Sequence, residues 1–158
     1  MIWKLMMINN SIKIIPMQKE HIKDIAELEK QCFSEPWSEN ALSEELSNIC
    51  AVFFAAIVDN ILAGYIGMHN ICSQGYITNI AVFKQYRRKG IAGVLLQKII
   101  EYALDNNMEF VSLEVRKSNT PAISLYVKYG FKEMGIRKNF YSKPCEDAVI
   151  MTRYFVAN

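Results

Sequence analysis

No stretch of the chain approaches the roughly 20 apolar residues that a membrane-crossing helix needs, and residues 1–7 are too short for a secretory leader. Strong charge of one sign is lacking as well. The 18 lysines and arginines against 16 acidic residues leave a net charge of +2, which excludes the broad positive field of a general nucleic-acid binder. Histidine is scarce, with only His21 and His69, and Cys32, Cys50, Cys72 and Cys145 are scattered without a C-x-x-C pair. That composition argues against a zinc site or any other metal. Neither the G-x-x-x-x-G-K-S/T loop of nucleotide triphosphatases nor the G-x-G-x-x-G fingerprint of dinucleotide-binding folds occurs, so ATP and NAD readings lose ground. Internal repeats, low-complexity tracts and linkers are missing too. These absences leave a cytoplasmic protein with reduced thiols, expected to be a monomer without a nucleic-acid or membrane partner.

What is present is the composition of an ordinary folded domain: 158 residues, of which 51% are hydrophobic and 22% charged. One domain is expected over residues 12–156, preceded by a ragged tail, residues 1–11, in which Met6 and Met7 are alternative starts. Ile12 to Pro16 reads as a strand stopped by proline, and Ile22, Ile25, Ala26, Leu28 and Glu29 follow at near-helical spacing. Ser38 is a good N-cap for a second helix reaching Asn48. From Ala51 to Val82 the β-branched and aromatic content predicts three antiparallel strands, with turns at Asp59-Asn60 and Ser73-Gln74-Gly75. Ile91, Leu95, Ile99 and Ala103 then line one face of a long helix. Phe110 to Val115 is a fifth strand, and Thr120 to Tyr129 a helix opened by Pro121 and ended by Gly130. Strands at 131–137 and 148–155 flank a polar loop. The order is β-αα-βββ-α-β-α-ββ, a mixed α/β chain.

The most informative stretch runs from Asn79 to Gly93, a strand that passes through a basic loop straight into a helix. The first amides of a helix have no internal partner and together carry about half a positive charge, so they bind phosphate readily. Gly90 and Gly93 would let that backbone approach closely, and Lys84, Arg87, Arg88 and Lys89 add full charges around the same point. A basic run is just as often a solvated surface, so an anion site and a plain cap remain alternatives at this level.

Arg87-Arg88-Lys89-Gly90-Ile91-Ala92 resembles the Q/R-x-x-G-x-G/A signature by which acetyltransferases of the GNAT superfamily hold the pyrophosphate of coenzyme A. Leu113 to Asn119, then Ala122, Leu125-Tyr126 and Gly130-Phe131, resembles the ribosomal-protein-alanine N-acetyltransferase branch. The resemblance spans nearly the whole chain. It implies the acyl-CoA N-acyltransferase fold, a central, mostly antiparallel twisted sheet of about seven strands with four helices, and acetyl-CoA as co-substrate. It assigns the pantetheine arm to the backbone of Ile80, Ala81 and Val82, the pyrophosphate to Arg87, Arg88, Lys89, Gly90, Ile91, Ala92 and Gly93, and a further cofactor contact to Asn119.

Acyl transfer from a thioester needs a neutral amine, a group to take its proton and a group to protonate the departing thiolate. The resemblance gives these roles to Glu114 as base and Tyr126 as acid. It implies a protein acceptor with a free N-terminus, a ribosomal protein beginning with alanine, held between two loops. Those loops carry Phe33 and Trp37 in one, and Tyr141 in the other. Glu35, Glu146 and Asp147 are candidates to attract an ammonium group or a basic second residue. Competing readings are acetylation of lysine side chains or a small amine, and a non-catalytic module that only binds acetyl-CoA.

Overall fold

A computed structural model describes residues 12–155; the expected N-terminal tail lies outside the described residues. Seven strands form one sheet: β1 (Ile12–Pro16), β2 (Ala51–Val58), β3 (Ile61–Ile71), β4 (Gln74–Val82), β5 (Phe110–Arg116), β6 (Lys132–Ser142) and β7 (Cys145–Tyr154). Their spatial order is β1-β2-β3-β4-β5-β7-β6, antiparallel throughout except for the β4–β5 pair. Four helices flank it: α1 (Ile22–Cys32), α2 (Glu39–Glu45), α3 (Ile91–Asp105) and α4 (Thr120–Lys128).

Two apolar clusters sit on opposite faces of the sheet. On one, α3 buries Ile91, Leu95, Ile99 and Ala103, each 2% exposed or less, against Phe54, Ile66, Met68, Val111, Leu113 and Val115. The spacing read from the sequence is therefore the buried stripe itself, and each such side chain contributes on the order of 1.5–3 kcal/mol by leaving water. Tyr126 of α4 and Phe131 join the same cluster. On the other face, Ile22, Ile25 and Leu28 of α1 and Leu42 of α2 pack on Phe53, Ala55, Tyr65 and Ala81. Alternation along each strand thus divides its side chains between an α3 face and an α1 face.

Helix α2 is shorter than expected. Ser38 caps it as predicted, accepting the Ala41 N–H at 3.1 Å, but residues 46–48 close in single turns instead of continuing the helix. The Asn48 side chain then accepts the Cys50 N–H at 2.9 Å and turns the chain into β2. The β2–β3 turn falls on Asp59-Asn60 as read, both with positive φ. The β3–β4 turn is displaced to Cys72-Ser73, with φ of 51° and 65°, and Gln74 and Gly75 already belong to β4. Gly75 is there for packing: a Cβ on it would lie 2.8 Å from both Met108 Cε and Met68 Sδ.

The expected polar loop between the last two strands is instead the far part of a long hairpin, closed at Lys143-Pro144. Strand β6 is the sheet edge and nearly every residue in it is exposed, so its sequence carries no alternation to read. A register shift between Arg137 and Tyr141, with Asn139 at φ 54°, further breaks the period.

Candidate active site

Strands β4 and β5 pair over only three positions, Gln74–Phe110, Gly75–Val111 and Tyr76–Ser112, although β4 continues to Val82 and β5 to Arg116. Beyond Tyr76 each stays bonded to its other neighbour, β4 to β3 and β5 to β7. The sheet therefore splits. The split begins where β4 carries one extra residue, Thr78, between the pairs Met68–Ile77 and Gly67–Asn79. A bulge bends its strand and increases local twist, which swings the end of β4 away from β5. The inner edge of Ile80, Ala81 and Val82 is left with backbone groups that no strand takes, beside the start of α3.

That start is built on a left-handed residue. Gly90 caps α3 at φ +81°, Arg88 two residues earlier is at φ 61°, and a Cβ on Gly90 would meet nothing within 4 Å. Glycine is needed there for its conformation. The first bond of the helix is Val94 N–H to Gly90 C=O at 3.1 Å, so the amides of Ile91, Ala92 and Gly93 have no intrahelical acceptor. Gly93 has a different reason for being glycine than the close approach expected: a Cβ would lie 2.5 Å from the Tyr129 hydroxyl.

The basic side chains divide in a way the sequence did not reveal. Arg87 is exposed but folds back on the loop, its Nε donating to Val82 O at 3.1 Å and its Nη2 to Cys32 Sγ at 3.4 Å, so it braces the loop. Lys89 lies over the Tyr86 ring at 5.5 Å. Arg88 and Lys84 are exposed and have no side-chain partner among the described residues. Asn119 caps α4, Oδ1 accepting the Ala122 N–H at 3.3 Å, which leaves its Nδ2 as a donor.

Glu114 and Tyr126 come from opposite sides of β5. Val111, Leu113 and Val115 point into the α3 core, so alternation sends Glu114 to the α1 face, where Arg137 Nε lies 3.2 Å from its carboxylate. Tyr126 is 5% exposed and packs on Phe131. Burial pushes its hydroxyl pKa well up, with a smaller push from Tyr141. Tyr141 is near enough to feel Glu114 as well. Burial raises its pKa first, Arg116 then opposes this, and the charges of Glu114 and Glu146 add to the rise.

Tyr141 belongs to β6, not to a loop, and its ring is held by the Arg116 guanidinium 4.2 Å away. Arg116 also bonds Lys143 O and Pro144 O, both at 3.0 Å, and Glu146 at 3.3 Å. Sequence reasoning missed this arginine, which fastens the β6–β7 hairpin. Two of the three acidic candidates have partners within the protein: Glu146 accepts the Ser118 N–H at 2.6 Å besides meeting Arg116, and Asp147 accepts the Asn139 N–H at 2.9 Å. The Ser118 hydroxyl lowers the Glu146 pKa most, desolvation opposes it, and the Ser118 N–H and Arg116 lower it further. Glu35 bridges the two loops, its Oε1 accepting from Ser142 Oγ at 3.1 Å. Phe33 is 38% exposed at the end of α1, whereas the Trp37 ring packs 6.1 Å from Phe53 in the α1 core.

A buried polar cluster also escaped the sequence. Glu29 has no exposed surface, yet its carboxylate accepts from the Tyr65 hydroxyl, from Asn79 Nδ2 at 2.7 Å and from the Trp37 N–H at 3.3 Å. Burial pushes its pKa up, and these three bonds lower it in part. In sequence Glu29 looked like one more position on a helix face. No signal in the chain order links it to residues 36 and 50 positions away.

The split between β4 and β5 beside the start of α3 places this sheet in the acyl-CoA-dependent N-acyltransferase fold. The chain belongs to the Acetyltransferase (GNAT) family, whose model matches residues 22–131, and it is an N-acetyltransferase. It is 38% identical over 136 residues to a candidate ribosomal protein bS18-alanine N-acetyltransferase of Bacillus subtilis (strain 168), covering 85% of this chain and 90% of that one. It is 42% identical over 123 residues to an N-alpha-acetyltransferase of Saccharolobus solfataricus, covering 70% and 73%. The crystal structure of the ribosomal-protein-S18-alanine N-acetyltransferase from Escherichia coli superposes with a TM-score of 0.85 at 27% identity, covering 93% of this chain and 96% of that one. Among the described residues no group of acidic, cysteine and histidine side chains is arranged to hold a metal, and no helix is long and apolar enough to cross a membrane.

Proposed function

We propose that this enzyme transfers the acetyl group of acetyl-CoA to the α-amino group of a protein N-terminus, an alanine at the start of a ribosomal protein. The observation that carries the reading is the β4–β5 split with Glu114 on one face and Tyr126 buried on the other. The pantetheine arm lies along Ile80, Ala81 and Val82 and bonds the edge that β5 leaves open. The pyrophosphate rests on the amides of Ile91, Ala92 and Gly93, with Arg88, Lys84 and Lys89 around it. Arg87 braces that loop, and Asn119 Nδ2 reaches the cofactor from the start of α4. The names of the bacterial and archaeal relatives support an α-amine acceptor.

In the reaction the amine lone pair attacks the thioester carbonyl, the C–N bond forms and the C–S bond breaks. Glu114 takes one amine proton, directly or through a water, and Tyr126 gives its proton to the departing thiolate. An α-amine titrates near 7.7–8.0, so on the order of a tenth is already neutral at pH 7. A lysine near 10.4 would cost about 3 kcal/mol more, which suits a modest carboxylate base to an N-terminal acceptor. The raised pKa of Tyr126 keeps it protonated, the form an acid must have before turnover. Phe33 and Tyr141 flank the incoming peptide, and Trp37 shapes the loop from below.

The test is mass spectrometry of two peptides incubated with acetyl-CoA and the enzyme. One begins with alanine; the other has a blocked N-terminus and a free lysine. The proposal expects one added acetyl group on the first peptide and none on the second. The reverse pattern would replace it with side-chain acetylation.

A further inference from the structure

The bulge in β4 moves one side chain to a face where simple alternation would not have put it. Tyr76 and Ser112 pair across β4 and β5, and the next residue of β5 on that face is Glu114. The corresponding residue of β4 would be Thr78. Because Thr78 is the extra residue, Asn79 takes the place, and its bond to Glu29 of α1 fixes it on the α1 face. Continued past the last pair, the register makes Asn79 the counterpart of Glu114 on the other side of the split, both on the α1 face.

Asn79 is only 9% exposed. Its Nδ2 donates to Glu29 Oε1, an oxygen that already accepts the Tyr65 hydroxyl, so that oxygen is an acceptor and the nitrogen end of the amide must face it. The carbonyl end points away and has no hydrogen-bond partner among the described residues. The neighbouring Thr78 Oγ1 is likewise buried and unpaired. Unpaired oxygens inside a protein are rare, and two in succession at the point where the strands part call for a donor, supplied by a bound water or by a ligand.

We infer that Asn79 Oδ1 receives an N–H of the attacking amine, directly or through one water, and that Glu29 is the positioning residue that holds the amide in that orientation. The inference rests on the α-amine reading above. A neutral primary amine carries two hydrogens. One leaves to Glu114 as the C–N bond forms; the other stays in the product amide, and this is the one Asn79 holds. With both hydrogens directed, the lone pair faces the thioester. A carboxylate buried from α1 thereby acts on the acceptor without touching it.

The experiment is steady-state kinetics with an alanine-initiated peptide on the wild type, Asn79→Ala, Glu29→Gln and the double variant, with calorimetric titration of coenzyme A on each. Loss of one directed hydrogen bond should lower kcat/KM for the peptide about tenfold in each single variant. The double variant should fall no further than Asn79→Ala alone, since Glu29 acts through Asn79, and coenzyme A affinity should stay within about twofold. Wild-type kcat/KM in the single variants, losses that multiply in the double, or a parallel loss of coenzyme A affinity would each overturn it. If Asn79→Ala does not fold, Asn79→Leu, which keeps the volume and removes the acceptor, replaces it with the same expected outcomes. A wild type that acetylates no α-amine removes the underlying reading and this inference with it. An active wild type with unaffected variants removes this inference alone.

Discussion

Glu114 and Tyr126 lie on opposite faces of the sheet because a strand sends neighbouring residues to opposite faces. Leu113 and Val115 anchor β5 in the α3 core, so Glu114 is obliged to face the α1 side, while Tyr126 belongs to the α3 core. Glu114→Gln keeps the shape and loses the base, and should lower kcat by about 100-fold or more with coenzyme A affinity unchanged. Tyr126→Phe should act similarly on kcat. Steady-state rates and calorimetry on both variants check this; full activity in both would dismiss the pair. Glu29 makes a prediction about stability. Its folded-state pKa lies above the ordinary 4.5, so the folded chain binds the proton more tightly than the unfolded one. Its contribution favours folding below about 4.5 and weakens as pH rises through the raised value. Glu29→Gln should lack this decline, so urea midpoints of variant and wild type should shift in the variant's favour as pH rises from 4.5 towards 8. Parallel curves would contradict the burial argument.

Among the elements, those with one buried face were legible and those without were not. The α3 stripe is written as Ile91, Leu95, Ile99 and Ala103, and its period cannot be mistaken once four side chains meet the same sheet. The pairing of Asp59 with Asn60 marks its turn because both residues tolerate positive φ. Gly75 misled because glycine serves two ends, turning the chain and making room, and only the Met68 and Met108 contacts tell them apart. Strand β6 was read only as far as Arg137, because its exposed continuation to Ser142 has no buried face to mark it. In the candidate site, the basic loop and the helix start it leads into could be read because their parts are contiguous, from Lys84 to Gly93. The Glu29 cluster could not, because its members meet only after three elements have folded. The glycines give the element-scale prediction. Gly90→Ala forces a side chain into φ +81° and should weaken stability by about 1–2 kcal/mol while distorting the basic loop. Gly67→Ala meets the Phe53 ring at 2.5 Å and should destabilise the α1 face without that local effect on coenzyme A. Denaturation paired with calorimetry separates the two.

At the scale of the whole molecule, the two halves of the sheet behave as two walls joined at one end. Strands β1–β4 with α1 and α2 form one wall, and β5, β7 and β6 with α4 the other; three residue pairs hold them together near Tyr76. In the proposed reaction cofactor and acceptor enter the opening from opposite faces, which would let residues far apart in sequence share one reaction. The bonds from Glu35 to Ser142 and from Glu29 to Trp37 tie the segment between α1 and α2 to the end of β6 and to α1. Everything depends on acetyl-CoA occupying that opening, and amide-resolved NMR during titration with acetyl-CoA tests it most directly. The account predicts that the largest shifts fall on Ile80, Ala81, Val82, Gly90 to Gly93 and Asn119. Shifts confined to other surfaces, or none at saturating ligand, would contradict it.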